Sequence, residues 1–199
     1  MHISEGILSA PVLASGAALT VAGTAIGLKK MDYEKLPTVA LLSAVFFIAS
    51  LVHVPVGPAA AHLVLNGLCG VLLGWLAFPA ILVGATLHAI LFQFGGLTTL
   101  GVNTFNMAFP AVIMGYICRV GILGSNPLVR GVCEFLAGAC SIFIAALLVA
   151  LSLTASGESF RAVARLIVAA HIPVMIIEGI ITVFAIEFLR RIRPETLYG

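Results

Sequence analysis

Charge is what this chain has least of. Only 9% of its 199 residues are Asp, Glu, Lys or Arg, while 61% are drawn from A, V, I, L, M, F, W, Y and C, and mean hydropathy is +1.20. A soluble domain carries about 25% charged residues. So little polar surface cannot coat a ball in water, which excludes a soluble enzyme and a disordered chain. The net charge of +2 comes with no Lys/Arg run that tracks a phosphate backbone, so no nucleic-acid partner is expected. The four cysteines form no C-x-x-C pair and all lie in apolar runs; they read as small hydrophobes rather than a disulfide framework or thiolate site. There is no Gly-x-x-x-x-Gly-Lys-Ser/Thr loop to cradle ATP phosphates, and no His-Glu-x-x-His run or nucleophile–base pair for an intramembrane enzyme. Nor is there an internal repeat of the kind secondary transporters show. The apolar runs are continuous instead of alternating, which excludes an outer-membrane barrel.

What is present is apolar sequence punctuated by Pro, Gly and charge. Seven runs stand out, at about 10–28, 37–54, 62–77, 79–94, 105–123, 130–152 and 164–189. A membrane-crossing helix needs roughly 20 residues. The reading is an all-α integral membrane protein of about seven transmembrane helices, with a very tight turn at residues 78–79 between two short spans. An N-terminus outside puts Lys29, Lys30, Lys35, Arg119, Arg130, Arg190, Arg191 and Arg193 on the cytoplasmic side and only Arg161 and Arg165 on the other. The positive-inside rule is met only that way round, and it places the C-terminus in the cytoplasm. Positive residues follow the first apolar core instead of preceding it, so the first helix reads as retained rather than as a cleaved signal. The chain is thus one transmembrane domain over 1–199, an N-terminal segment of residues 1–9 followed by a bundle over 10–199, in a bacterial or archaeal cytoplasmic membrane.

Polar groups inside lipid are costly, and each is a candidate for function. Here they are few: His53, His62, Asn66, His88, Gln93, Asn103, Asn106, Glu134, His171 and Glu178. The terminus adds Met1-His2. Initiator Met is kept before a residue as large as His. The α-amine of Met1 and the amide nitrogen of His2 close a five-membered chelate ring on a metal, and that amide with His2 Nδ1 closes a six-membered one. Three nitrogens then share a plane. Deprotonating an amide suits Ni(II) or Cu(II), and Co(II) in some settings, but not Mg²⁺ or Ca²⁺. A fourth nitrogen would complete the plane. His53 and His62 flank the 54–58 turn on the side the N-terminus reaches, while His88 and His171 read as interhelical hydrogen-bond partners. The glycine-rich loop 95–102 ends in Asn103 and Asn106, one helical face apart by three residues, suited to orienting an imidazole or to capping a helix. His171 and Glu178 share a face of the last span, which fits an interhelical hydrogen bond, a carboxyl kept neutral by burial, or a proton relay.

The opening Met-His-Ile-Ser-Glu-Gly-Ile-Leu-Ser resembles that of the CbiM/NikM family, the substrate-binding (S) components of energy-coupling-factor (ECF) nickel and cobalt importers. Pro55-Val-Gly-Pro-Ala-Ala-Ala-His62-Leu-Val-Leu-Asn66-Gly is similar to that family's turn followed by His, although the family's turn is often richer in glycine. Gly-Gly-Leu-Thr-Thr-Leu-Gly-Val-Asn103-Thr-Phe-Asn106-Met and His171-Ile-Pro-x-x-x-x-Glu178-Gly match two further family patterns. The resemblance implies a seven-helix bundle with the N-terminal segment tucked in from outside. It implies Ni²⁺ or Co²⁺ held as transported substrate by the Met1 amine, the His2 amide, the His2 imidazole and His62, with His53, Asn103, Asn106, His171 and Glu178 as supporting candidates and no organic cofactor. It further implies an ECF transmembrane coupling protein, two cytoplasmic ATPase subunits and room for a small additional membrane subunit, in service of cobalamin biosynthesis or nickel supply. The competing expectation is a stand-alone metal transporter driven by protons through Glu178 and His171.

Overall fold

The computed structural model describes residues 2–57 and 59–198. Among them, seven helices of eight residues or more follow in order: α1 (Ala10–Lys29), α2 (Leu36–Ala49), α3 (Asn66–Leu73), α4 (Ala77–Phe92), α5 (Leu100–Leu123), α6 (Pro127–Ser156) and α7 (Arg161–Ile192). A four-residue α8 (Glu195–Tyr198) follows them. Between α2 and α3 lies an antiparallel hairpin, β1 (His53–Val56) and β2 (Ala59–His62), with His53 facing His62 in register.

Five stretches are long and apolar enough to cross a membrane: Ala10–Lys29, Asn66–Phe92, Leu100–Leu123, Pro127–Ser156 and Glu158–Ile192; Leu36–Ala49 is shorter. Their outer faces carry Val21, Val120, Leu151 and Phe184, each more than 60% exposed. Large apolar side chains turned outward along apolar helices belong against lipid, and the protein is a multi-pass protein of the cell membrane. Helix ends follow from local sequence. Asn126 caps α6 by accepting from the backbone N–H of Leu128 (3.0 Å) and Val129 (3.3 Å), with Pro127 at the first helical position. Pro110 and Pro173 lie inside α5 and α7, as buried membrane helices tolerate.

The reversal expected at residues 78–79 falls earlier. Gly74 has φ +53 and ψ −124, a conformation L-residues avoid, and it ends α3. Pro79 instead sits in the first turn of α4, where its missing N–H costs nothing. α3 itself is only about 12 Å long at 1.5 Å per residue, less than half of the hydrocarbon thickness of about 30 Å. The other half of that path is non-helical chain, β2 and residues 63–65, with Leu65 left-handed at φ 53.

Two contacts wedge α3 into the bundle. A methyl group on Gly70 would lie 1.8 Å from the Ala111 carbonyl oxygen, and one on Gly115 would lie 2.3 Å from the Gly70 carbonyl. α3 and α5 thus touch backbone to backbone, as small residues permit. At the level of Glu178, near the middle of α7, the chain arrives unwound. The Glu178 carboxylate accepts from the backbone N–H groups of Val64 and Leu65 and is fully buried. Those donors precede α3 and have no carbonyl of their own helix to reach; in a membrane interior an unmet donor costs several kcal/mol.

The two ends of the bundle differ. At one, residues 2–9 fold back over the hairpin, and Ile3 and Leu8 join the main core. At the other, Lys30, Lys35 and Arg119 gather around the α8 end, and the buried Glu134 pairs with Arg190 at 2.7 Å.

Candidate metal centre

The N-terminal segment meets the hairpin at a single bridge. Ile3 pairs with Ala59 of β2 in an antiparallel bridge and is fully buried. Asn103, in the first turn of α5, holds both polar groups of Ile3: its Oδ1 accepts the Ile3 N–H (2.9 Å) and its Nδ2 donates to the Ile3 carbonyl (3.1 Å). Thr99 Oγ1 donates to the same carbonyl at 3.0 Å. Glu5 accepts the Thr98 N–H at 3.0 Å, and the Ser9 N–H reaches Ser156 Oγ on α6 at 3.0 Å. The loop that receives the segment needs glycine. A methyl on Gly96 would lie 1.8 Å from Glu5 Cγ, and Gly95, at φ +79, faces Asn103 Nδ2 and His2 Cβ.

This anchoring puts His2 inside the bundle mouth. His2 is 5% exposed and His62 2%. Their rings stack with centroids 4.6 Å apart and an angle of 22° between planes. His62 Nδ1 lies 2.9 Å from the Leu63 carbonyl. A carbonyl only accepts, so Nδ1 carries the proton and Nε2 presents a bare lone pair. His62 Nε2 and His2 Nε2 are both buried without a hydrogen-bond partner among the described residues. Burial penalises the charged form of the His2 imidazole and holds its pKa well below the usual histidine value. A cavity of about 160 Å³ adjoins them, lined among others by Ser50, His53, Phe94 and Gly95. Among the described residues no three His, Cys, Asp or Glu side chains form a metal-holding group, so side chains alone do not complete a site. Met1 lies outside the described residues.

The remaining expected residues separate. Asn103 is beside the rings through Ile3. His53 lines the same cavity but is exposed; its Nδ1 donates to Leu51 O (3.1 Å) and its ring stands edge-on to Phe94. Asn106 is not brought to the imidazoles: its Nδ2 donates to Ser152 Oγ on α6 at 3.3 Å. His171 donates Nδ1–H to Ile167 O (2.7 Å), leaving its buried Nε2 without a partner, and Glu178 holds the backbone entering α3. One neighbour was placed elsewhere by sequence alone. His88 reads as mid-span in a run to residue 94, but α4 ends at Phe92, and the His88 ring packs edge to face on His2, centroids 5.1 Å apart. The usable signal was its position near the end of the helix that feeds the Gly95–Gly96 loop.

Comparison with known proteins places the chain in a family. Residues 2–196 match the family model described as CbiM, cobalt uptake substrate-specific transmembrane region. The chain is 42% identical over 208 aligned positions to a Haemophilus influenzae protein whose name proposes metal transport, covering 99% of this chain and 97% of that one. It is 34% identical to the cobalt transport protein CbiM of Sorangium cellulosum, covering 99% and 94%. Among solved structures, a transition metal transporter superposes with a TM-score of 0.85 at 28% identity, covering 96% of this chain and 93% of that one.

Proposed function

The chain belongs to the CbiM family of cobalt-uptake transmembrane proteins, and we propose that it is the subunit that captures Ni²⁺ or Co²⁺ in a plane of four nitrogens at the end of the bundle holding its N-terminal segment. It is a transport component of cobalt or nickel uptake. The donors are the Met1 amine, the His2 amide, His2 Nδ1 and His62 Nε2.

The observation that carries this reading is the adjacent pair of buried imidazoles, one of them on a terminal segment clamped by Asn103. In such a plane the amine, amide and His2 imidazole are consecutive, so His62 lies cis to the His2 ring. With metal–nitrogen bonds of about 2.0 Å and a ring nitrogen about 1.1 Å from its centroid, cis imidazoles have centroids about 4.4 Å apart. The observed separation is 4.6 Å with the rings stacked at 22°, so the spacing suits one ion and one ring turns for both in-plane lone pairs to meet it. A neutral nitrogen set with a deprotonated amide favours Ni²⁺ or Co²⁺ over the oxygen-seeking Mg²⁺ and Ca²⁺. Amine and amide must lose protons on binding, so affinity falls as pH falls.

Energy comes from elsewhere, since the chain carries no phosphate-binding loop. A transmembrane coupling protein of the ECF type and two cytoplasmic ATPases supply it, with the basic end facing the cytoplasm. The proton-driven alternative loses its main residue, because the Glu178 carboxylate is engaged by two backbone donors.

The test is direct. Residues added before Met1, or acetylation of its amine, abolish Ni²⁺ and Co²⁺ binding to the purified protein in nanodiscs, and His62→Ala does the same. Binding that survives either change refutes the site.

A further inference from the structure

His88 takes no part in the proposed ligand set, yet it is fully buried against it. Its Nε2 lies 2.9 Å from the Phe47 carbonyl of α2. A carbonyl accepts only, so Nε2 is the protonated nitrogen and Nδ1 is an acceptor. The ring is held flat on Phe47, with centroids 4.8 Å apart and 26° between planes, which fixes where Nδ1 sits. Among the described residues that buried Nδ1 has no partner, and neither has His2 Nε2. Two unmet nitrogens therefore belong to rings in contact, set at 86° to one another.

Their chemistry becomes complementary when metal is bound. Chelation through His2 Nδ1 leaves the hydrogen of that ring on Nε2. The neighbouring His88 Nδ1 is the acceptor such a donor needs. An N–H···N bond of about 2.9 Å, with each nitrogen about 1.1 Å from its centroid, sets the centroids about 5.1 Å apart, and they are 5.1 Å apart here. The two nitrogens are not hydrogen-bonded as the rings now stand, so the bond needs the His2 ring to turn its Nε2 onto His88 Nδ1 when the metal fixes His2 Nδ1.

Resting on the four-nitrogen reading, we propose that His88 is a positioning residue for the metal: it accepts the Nε2–H of His2 and, through its own Nε2–H on Phe47 O, ties the plane of the His2 imidazole to the backbone of α2. A ligating histidine whose second nitrogen is hydrogen-bonded has its tautomer and ring orientation fixed, and loss of such a partner costs about 10–100-fold in metal affinity.

Two nearly isosteric variants separate this role from mere packing. His88→Gln keeps an acceptor oxygen on the side chain, and His88→Met does not. Measured by Ni²⁺ titration in nanodiscs, the Met variant binds about 10–100-fold more weakly than the wild type, while the Gln variant binds within a few-fold of it and restores the ligand-field absorption band that the Met variant shifts. Equal affinities for the two variants overturn the proposal. A second measurement uses no variant. In Ni²⁺-loaded wild-type protein labelled with ¹⁵N-histidine, His2 Nε2 is protonated and correlates through the hydrogen bond with His88 Nδ1. A bare or metal-bound Nε2 overturns the proposal, as do lines broadened by a paramagnetic ion, which would also exclude the square plane. His62→Ala, run in parallel, keeps the two readings apart. If it retains Ni²⁺, the four-nitrogen site itself is wrong. If it loses Ni²⁺ while His88→Met binds as the wild type does, only the role of His88 is wrong.

Discussion

Asn103 has one side-chain amide, and it matches both polar groups of one residue, Ile3, at 2.9 and 3.1 Å. That pairing decides how far His2 enters the bundle. The sequence offered two roles for Asn103, capping α5 or supporting an imidazole, and no side-chain cap is present on that helix; its support of His2 acts through the next residue's backbone. Spacing along one chain does not reveal which distant carbonyl an amide will meet, so this partner was illegible. The Gly95–Gly96 pair was legible as a loop, but its reason is the segment lying over it. Gly96→Ala puts a methyl where Glu5 Cγ now lies. Because Glu5 is an exposed side chain and the change is at the rim, the bundle keeps its fold while the Glu5–Thr98 contact is lost. The expected outcome is Ni²⁺ affinity reduced about tenfold with thermal stability within about 1 kcal/mol of wild type. Titration and thermal unfolding of the same sample check both halves, and an unchanged affinity would show that the anchor beyond Asn103 is dispensable.

At the scale of elements, the half-length α3 is what the apolar pattern concealed. A continuous run at 62–77 reads as one span, because composition cannot tell extended buried chain from buried helix. Both are uniformly apolar, and the glycine that makes the reversal, Gly74, stands among helical glycines such as Gly67 and Gly70 that only permit close packing. The seven apolar runs were nevertheless read in the right order, since charge and proline at their borders obey local rules. Glu178 was read with three roles open; the structure engages it in the bland one, with a backbone partner in place of another side chain. The consequence is specific. Glu178→Gln replaces one acceptor oxygen with an NH₂ that faces the Leu65 N–H, now 3.0 Å from Oε2. The variant unfolds with about 1–3 kcal/mol less stability, yet its Ni²⁺ affinity stays within a few-fold of wild type, because the carboxylate touches no proposed ligand. Metal uptake by the reconstituted transporter is then insensitive to a proton gradient in both proteins. Uptake that follows the gradient in wild type and loses it in the variant would revive proton coupling.

For the whole molecule, the scarcity of charge is the most informative number in the sequence. With ten Lys and Arg in 199 residues, every basic residue becomes a marker of side, and the fold bears out their segregation. Lys30, Lys35 and Arg119 cluster with α8, and Arg130 and Arg190 converge on Glu187, with Arg190 also held by Glu134. The histidines gather at the other end, where His2, His62 and His88 meet. In the proposed orientation a metal taken from outside meets the histidine end first, and the proposed ATPase partners meet the basic end. This fixes an experiment on orientation. Single cysteines are introduced at Ser4 and at Thr196 in a chain whose four native cysteines are replaced by Ala or Ser. A membrane-impermeant maleimide added to intact cells labels the Ser4→Cys protein and spares the Thr196→Cys protein until the membrane is opened. Bound Ni²⁺ should slow the first reaction, because the thiol sits two residues from His2 on a segment that the metal would pin to the bundle. The reverse labelling pattern would place the imidazoles in the cytoplasm and turn the proposed capture site into one for release.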